Sequence, residues 1–204
     1  MSAVDYGYRS ADAAYSGDYL LNAVVPACRT RRVGDILDLG CGNGFLTRQM
    51  AQAGFRMTGC DPSTSGIAAA RAAAGDIRFD VAGVDDPPTI FGADAFDAVV
   101  SLEVVEHLPL PRNLPRFARA VLRPGGYLIV STPYHGYLKN LAIAVLGHWD
   151  AHHDPLWDGG HIKFWSEATL RRMIEHEGFV FEQFIGAGRL PWLWKSMVLV
   201  FRKA

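Results

Sequence analysis

The apolar positions of this 204-residue chain fall into short runs separated by stretches of helical spacing. "DILDLG" (Asp35–Gly40), "RMTGCD" (Arg56–Asp61), "IRFDVAG" (Ile77–Gly83), "FDAVVS" (Phe96–Ser101) and "YLIVSTP" (Tyr127–Pro133) predict buried strands. Between them, Gly44–Gly54 carries Phe45, Leu46, Met50 and Ala53 at helical spacing, with Gly54 as its stop. The alanine-rich stretch Thr64–Gly75 and the stretch Leu114–Leu122 also read as helices, the second ended by "RPGG" at Arg123–Gly126. Ser166 is an N-cap candidate for a helix that Gly178 stops, and "FVFEQFIG" and "KSMVLVFRK" read as two closing strands. Strands alternating with helices in this way predict an α/β domain with a mostly parallel, doubly wound sheet.

Two segments break the alternation. The stretch before Arg32 reads as a tyrosine-rich arm followed by a helix around Ala11–Val25. The stretch Tyr134–Trp165 is too long for an ordinary strand-to-helix connection, and connections of that length are lids, binding loops or disordered segments. Its aromatic content argues against disorder. Five of the seven histidines lie between His135 and His161, and three of the five tryptophans between Trp149 and Trp165. The expected organisation is one domain over 1–204, with an arm and helix at 1–31 and a substrate-covering insert at 134–165.

Composition narrows the function classes. A formal net charge of −1 provides no basic face, so no nucleic-acid partner is expected. The N-terminus lacks a basic start followed by an apolar run, and "LAIAVLG" from Leu141 is far too short to span a bilayer. The three cysteines, Cys28, Cys41 and Cys60, form no CxxC pair, which argues against a disulfide framework or zinc site and fits a cytoplasmic protein.

The candidate chemistry begins at "DLGCGNG" (Asp38–Gly44), where glycines recur at every second position after a strand and before a helix. Such a loop lets backbone approach a ligand, and its amides favour an anionic group. Asp61 ends the next strand, where a carboxylate can accept both hydroxyls of a ribose. A dehydrogenase would space its glycines GxGxxG; here the spacing is GxGxG behind Asp38, a carboxylate suited to the ammonium of an amino-acid-like cofactor end.

The second candidate is "SLEVVEHLP" (Ser101–Pro109), just beyond the fourth predicted strand. Ligands bind at the carboxyl edge of such sheets, which places Glu103 near a reaction centre. Three readings stand for Glu103, Glu106 and His107. They supply two carboxylate oxygens and one imidazole to a divalent cation. Alternatively, His107 or Glu106 is a metal-free base or substrate contact. Or the acids favour a helix N-terminus and His107 is structural.

Together these pieces resemble the class I S-adenosylmethionine-dependent methyltransferases, from about Arg32 to Ala204. "EVVEHL", "LRPGG", "STP" and "HIKFWS" further resemble the O-methyltransferases of ubiquinone biosynthesis. The resemblance implies a seven-stranded Rossmann-like sheet with an antiparallel last hairpin. It implies S-adenosylmethionine as cofactor, with Asp38, Gly40, Cys41 and Gly42 lining its methionine portion and Asp61 holding the ribose. Pro62 and Ser63 would then lie near the adenine, Val84 or Asp85 would flank it, and Ser101, Leu102 and Glu103 would form the floor beneath the sulfonium. It associates Glu103, Glu106 and His107 with a magnesium-type metal and with catalysis.

In the insert, His135 directly follows the fifth strand and is a candidate base beside His107 and Glu106. His148, His152 and His153 have the spacing of a transition-metal pair. "NLAIAVLGHW" reads as a buried helix, a pocket wall, or a peripheral membrane contact of the kind the resemblance links to this insert. Trp192 and Trp194 either line the same pocket or pack. Tyr6, Tyr8 and Arg9 are candidate cofactor-lid residues. The expected partner is a small, partly apolar acceptor with a hydroxyl.

Overall fold

The computed structural model describes residues 7, 8, 10–12, 17–153, 156, 157 and 160–204. Seven strands form one sheet: β1 (Asp35–Leu39), β2 (Arg56–Asp61), β3 (Arg78–Val81), β4 (Phe96–Leu102), β5 (Leu122–Pro133), β6 (Phe179–Ala187) and β7 (Ser196–Lys203). Their order is β3-β2-β1-β4-β5-β7-β6. The first five strands run parallel, and β7 runs antiparallel to both β5 and β6. The last hairpin is therefore antiparallel, as the resemblance implied.

Helices cover both faces: α1 (Gly17–Thr30), α2 (Phe45–Gln52), α3 (Thr64–Ala72), α4 (Asn113–Val121), α5 (Tyr137–Val145), α6 (Trp149–His153) and α7 (Glu167–Glu175). Successive strand residues serve opposite faces. Leu37, Val99, Leu128 and Phe201 pack on one side with α4 and α7, while Ile36, Val100, Ile129 and Val198 pack on the other with α1 and α2. Burial on both faces explains why these strands read as continuous apolar runs.

The first helix differs from its sequence expectation. It is described over Gly17–Thr30 and runs past the expected end at Val25, because Ala27 and Cys28 continue the buried face of Leu20, Ala23 and Val24; Ala11 and Asp12 are not helical, and 13–16 lie outside the described residues. Pro26 is carried within the helix. The fifth strand also begins earlier, at Leu122, and a register shift between its pairs with Phe96 and Ala98 absorbs "RPGG". No helix among the described residues is long and apolar enough to cross a membrane.

Topology fixes where chemistry gathers. The order reverses between β1 and β4, which opens a crevice at the carboxyl ends of these strands. Because β7 is antiparallel, its first residue lies at the same edge: Pro133 pairs with Ser196. The edge thus carries Asp38, Asp61, the stretch after Ser101, and Ser131 to Pro133, together with Ser196.

A tight constraint at this edge is Gly40. Its φ is 90°, and a Cβ there would lie 2.5 Å from Val104 Cγ2. Gly40→Ala combines a left-handed backbone with a steric overlap and should cost about 2–4 kcal/mol. Urea unfolding checks this. Adding Val104→Ala should recover only the overlap part, and full recovery would contradict the backbone argument.

Candidate active site

The glycine loop is held by backbone bonds across the sheet edge. Gly40 N and Cys41 N both donate to Cys60 O, at 2.8 and 3.0 Å, and Gly44 N donates to Cys41 O at 2.9 Å. Gly44 has a φ of 71°, and a Cβ there would lie 2.8 Å from both Ala70 Cβ and the Phe79 ring. The loop therefore needs glycine so that α3 and β3 can close against it. Cys41 is buried with Ile67, Ala70 and Phe79.

Two carboxyl groups flank this loop. Asp38 is buried, and its Oδ2 accepts from Thr47 Oγ1 at 2.6 Å. Burial pushes its pKa up to about 7, the Thr47 hydroxyl opposing and the neighbouring Asp61 adding to the rise. Asp61 accepts from Gly42 N at 2.9 Å and from Ser63 N at 2.8 Å. Ser63 in turn caps α3 through Gly66 N. Tyr8 lies over the loop: a Cβ on Gly42 would come 2.8 Å from its hydroxyl, and its N–H donates to Ser65 Oγ. Tyr6 and Arg9 lie outside the described residues.

Of the residues expected at an adenine, Pro62 is exposed and lies against Gly83, and Val84 packs on the core. Asp85 is exposed, and its carboxylate accepts from Asn113 Nδ2 at 2.7 Å, so it is tied to the start of α4.

The end of β4 turns sharply. Ser101 Oγ donates to Leu39 O at 2.8 Å, which locks β4 to β1, and Leu102 is buried. Glu103 has a φ of 56°, unusual for a residue with a Cβ. Its N–H donates to Ser131 O, and its carboxylate accepts from Ser131 Oγ at 2.7 Å and Ser196 Oγ at 3.0 Å. With its proton on Glu103, Ser196 Oγ accepts from the Tyr19 hydroxyl at 3.1 Å. Burial raises the Glu103 pKa to about 7, against the two serines and Lys139. Burial, with Glu103 adding, raises that of Tyr19 to about 12.

Glu106 and His107 lie on a single 3-10 turn, Val105–His107. This corrects the expectation of a helix N-terminus: a turn this short carries no useful macrodipole. Glu106 is 1% exposed, and neither carboxylate oxygen has a hydrogen-bond partner among the described residues. Burial holds its pKa well above the ordinary range, and the Glu103 charge pushes the same way. The Thr132 hydroxyl lies near but does not reach hydrogen-bond geometry. The backbone explains how such a group is held. Glu106 O accepts from Ile162 N and Lys163 N, at 3.0 and 3.1 Å, so "HIKFW" is clamped onto the turn.

This clamp brings in a residue that sequence reasoning did not assign. His161 sits with its ring centroid 4.9 Å from that of His107. One ligand atom each of Glu106, His107 and His161 lie within 4.8 Å of one another. His107 Nδ1 is 3.2 Å from Gly160 O, and a carbonyl only accepts, so Nδ1 carries the proton and Nε2 is the basic nitrogen. Burial and the His107 ring lower the His161 pKa to about 4. Glu103 does not join this cluster. Its oxygens are engaged by Ser131 and Ser196, which corrects the expected Glu103–Glu106–His107 ligand set.

His135 belongs to a separate aromatic group with His152, His153 and Phe164, stacked on His153 at 5.8 Å. Burial, with Lys139 adding, lowers its pKa to about 4. Among the described residues, His148, His152 and His153 form no three-ligand cluster. Nor is α5 a buried helix: Tyr137, Leu138, Leu141 and Val145 are exposed.

The chain matches the model of a methyltransferase domain over residues 13–183. It is 31% identical over 152 residues to a ubiquinone biosynthesis O-methyltransferase of Methylobacterium sp. (strain 4-46), covering 71% of this chain and 59% of that protein. A protein of the same name from Azorhizobium caulinodans is 32% identical over 158 residues, covering 74% of this chain and 60% of its own length. A third, from Caulobacter vibrioides, is 36% identical over 115 residues, 55% of this chain and 45% of that one. The chain thus spans about half to three-fifths of the length of these relatives. Among solved structures, magnesium protoporphyrin IX methyltransferase from Synechocystis PCC 6803, with bound S-adenosylhomocysteine, superposes with a TM-score of 0.68 at 20% identity, covering 91% of this chain and 82% of that one. An S-adenosylmethionine-dependent methyltransferase from Mesorhizobium loti gives 0.68 at 23%, covering 87% and 96%. Both share the fold built above. With the family model covering most of its length, the chain belongs to the methyltransferase domain family.

Proposed function

We propose that the reaction is O-methylation of a small, partly apolar acceptor carrying a phenol- or quinol-like hydroxyl. The observation that carries this reading is the pairing of a cofactor-shaped loop with a basic imidazole nitrogen, His107 Nε2, beside the buried Glu106 carboxyl. The O-methyltransferase names of the relatives point the same way.

The residues of the loop fit an S-adenosylmethionine. Asp38 is a buried carboxyl with one hydrogen bond, suited to an ammonium, and Asp61 stands at the end of β2 for the ribose. The bound cofactor supplies an already activated methyl group on a sulfonium, so positioning carries much of the rate. Ser101, Leu102 and Glu103 form the floor of this half-site. Tyr8 covers the glycine loop. His107 takes the acceptor's hydroxyl proton at Nε2 as the oxygen–carbon bond forms and the carbon–sulfur bond breaks. The buried Glu106 carboxyl keeps its own proton through the step, so the acceptor's proton ends on His107 and no other group of the cluster changes charge. The exposed apolar side of α5 supports an apolar acceptor, or peripheral contact with an apolar phase that delivers it.

The Asp38 assignment gives a pH dependence. In the free protein its pKa is about 7, and an ammonium partner lowers it, so affinity should be full above about pH 7 and fall as pH drops. Calorimetric titration of S-adenosylhomocysteine should give a micromolar Kd near pH 8, weakening by about tenfold per pH unit below the Asp38 pKa. Asp38→Asn should bind weakly at every pH and lose this slope. Absence of binding, or a slope unchanged in Asp38→Asn, would overturn the assignment.

A second reading is favoured by the convergence of Glu106, His107 and His161. Two imidazoles and one carboxylate are a donor set for a transition ion such as Zn2+ and a poor one for Mg2+, which prefers oxygen. With Glu103 engaged elsewhere, the residues do not fit the magnesium site that the resemblance implied. In this reading Glu106, His107 and His161 hold a nitrogen-accepting divalent ion, whose chemistry is to acidify a nearby hydroxyl. Equilibrium dialysis should then show one Zn2+ per chain, lost in His161→Ala and Glu106→Gln, and no Mg2+ uptake. Zn2+ uptake unchanged in both variants would discard the reading and leave the metal-free base.

A further inference from the structure

One buried charge remains outside the chemistry described so far. Lys139 is the buried residue of α5, 6% exposed on a helix whose other side chains are largely solvent-facing. Its Nζ donates to Lys195 O at 3.4 Å, which uses one of its three N–H donors. It faces a groove of about 780 Å3 between α5 and the β6–β7 connection. Ile143, Leu146, Leu190 and Leu193 make the apolar walls, and Arg189 stands on the β6 side. Two imidazoles also line the groove, but no acidic side chain among the described residues does.

The charges are unbalanced. Neither Lys139 nor Arg189 forms an ion pair among the described residues. Burial lowers the Lys139 pKa to about 8, and the Arg189 charge pushes it down further while Glu103 opposes. Lys139 is therefore still charged at neutral pH but poorly solvated, and it repels the second cation at the same groove. A buried cation of this kind calls for an anion. Arg189 also adopts a left-handed backbone, with a φ of 61° directly after Gly188, so the turn that presents it is locally constrained.

The groove also adjoins the reaction centre. Lys139 bonds the carbonyl of Lys195, the next residue is Ser196, and Ser196 Oγ donates to Glu103. We propose that this groove seats the acceptor as an apolar molecule bearing one anionic group, with Lys139 and Arg189 as its counter-charges. The anionic group is distinct from the hydroxyl that receives the methyl. The apolar body lies along Ile143, Leu146, Leu190 and Leu193, while the charge is held at the end nearest Glu103. This rests on the acceptor reading above, because it names the class of molecule that the same site takes.

The test uses monomeric probes of one shape and two charges. Dodecanoate and dodecanol are titrated calorimetrically below their aggregation limits, with S-adenosylhomocysteine saturating. Dodecanoate should bind at least about tenfold more tightly, the size of one charge-assisted hydrogen bond in a partly enclosed site. Lys139→Met should abolish that preference while keeping dodecanol binding. Arg189→Gln, an exposed position that leaves folding untouched, should reduce it severalfold. Equal affinity of the two probes for the unaltered protein, or a preference that survives both substitutions, would overturn the proposal. Loss of S-adenosylhomocysteine binding would instead strike the methyl-transfer reading, so the two failures are distinguishable.

Discussion

The constraint on which the site depends is the turn at the end of β4. The chain leaves the sheet with Glu103 in a left-handed conformation and its carboxylate clamped by Ser131 and Ser196. A left-handed residue with a Cβ costs about 1 kcal/mol, and two hydroxyl bonds to one carboxylate offset that cost. The clamp works because β7 is antiparallel and so delivers Ser196 to the same edge as Ser131. Once the chain has turned, Glu106 is carried into the interior and His107 to its rim. The carbonyl of Glu106 then fastens the end of the insert, which brings His161 alongside His107. This one turn thus decides which ionisable groups meet.

The consequence is electrostatic. Asp38, Glu103 and Glu106 all have pKa values raised chiefly by burial. A carboxyl whose folded pKa is raised disfavours the folded state once pH passes its unfolded value, so this edge loses stability as pH rises from about 4 towards 7. Functional edges commonly hold such groups. The opposite edge offsets part of this: Asp97 accepts from Gly34 N and Asp35 N and pairs with Arg123, and its pKa is lowered. The sheet therefore keeps solvated, paired charges at one end and poorly solvated ones at the other.

Much of this was legible in the sequence because it is local. The glycine spacing, the aspartate after the second strand and the acids after the fourth are each fixed by a strand and its following turn. The seven-stranded sheet and its antiparallel last hairpin followed from the family resemblance and stand in the structure. What was not legible depends on contacts between distant segments. His161 meets His107 only through backbone bonds from Ile162 and Lys163 to Glu106. Glu103 is diverted by Ser196, a residue from the far end of the chain. The run of α1 to Thr30, past the expected end at Val25, has a different cause: Ala27 and Cys28 continue the buried face begun by Leu20 and Val24. "NLAIAVLGHW" was ambiguous because an apolar helix reads alike whether it is buried or lines an open groove; in α5 the buried side chain is Lys139, the residue just before that run.

The central claim is that Glu106 is a buried carboxyl held neutral by its surroundings. Infrared spectroscopy of the metal-stripped protein, differenced against Glu106→Gln, measures this directly. The account predicts a protonated-carboxyl carbonyl band at neutral pH that is absent from the variant and persists well above the ordinary carboxylate range. A spectrum showing Glu106 already ionised at pH 6 would contradict it.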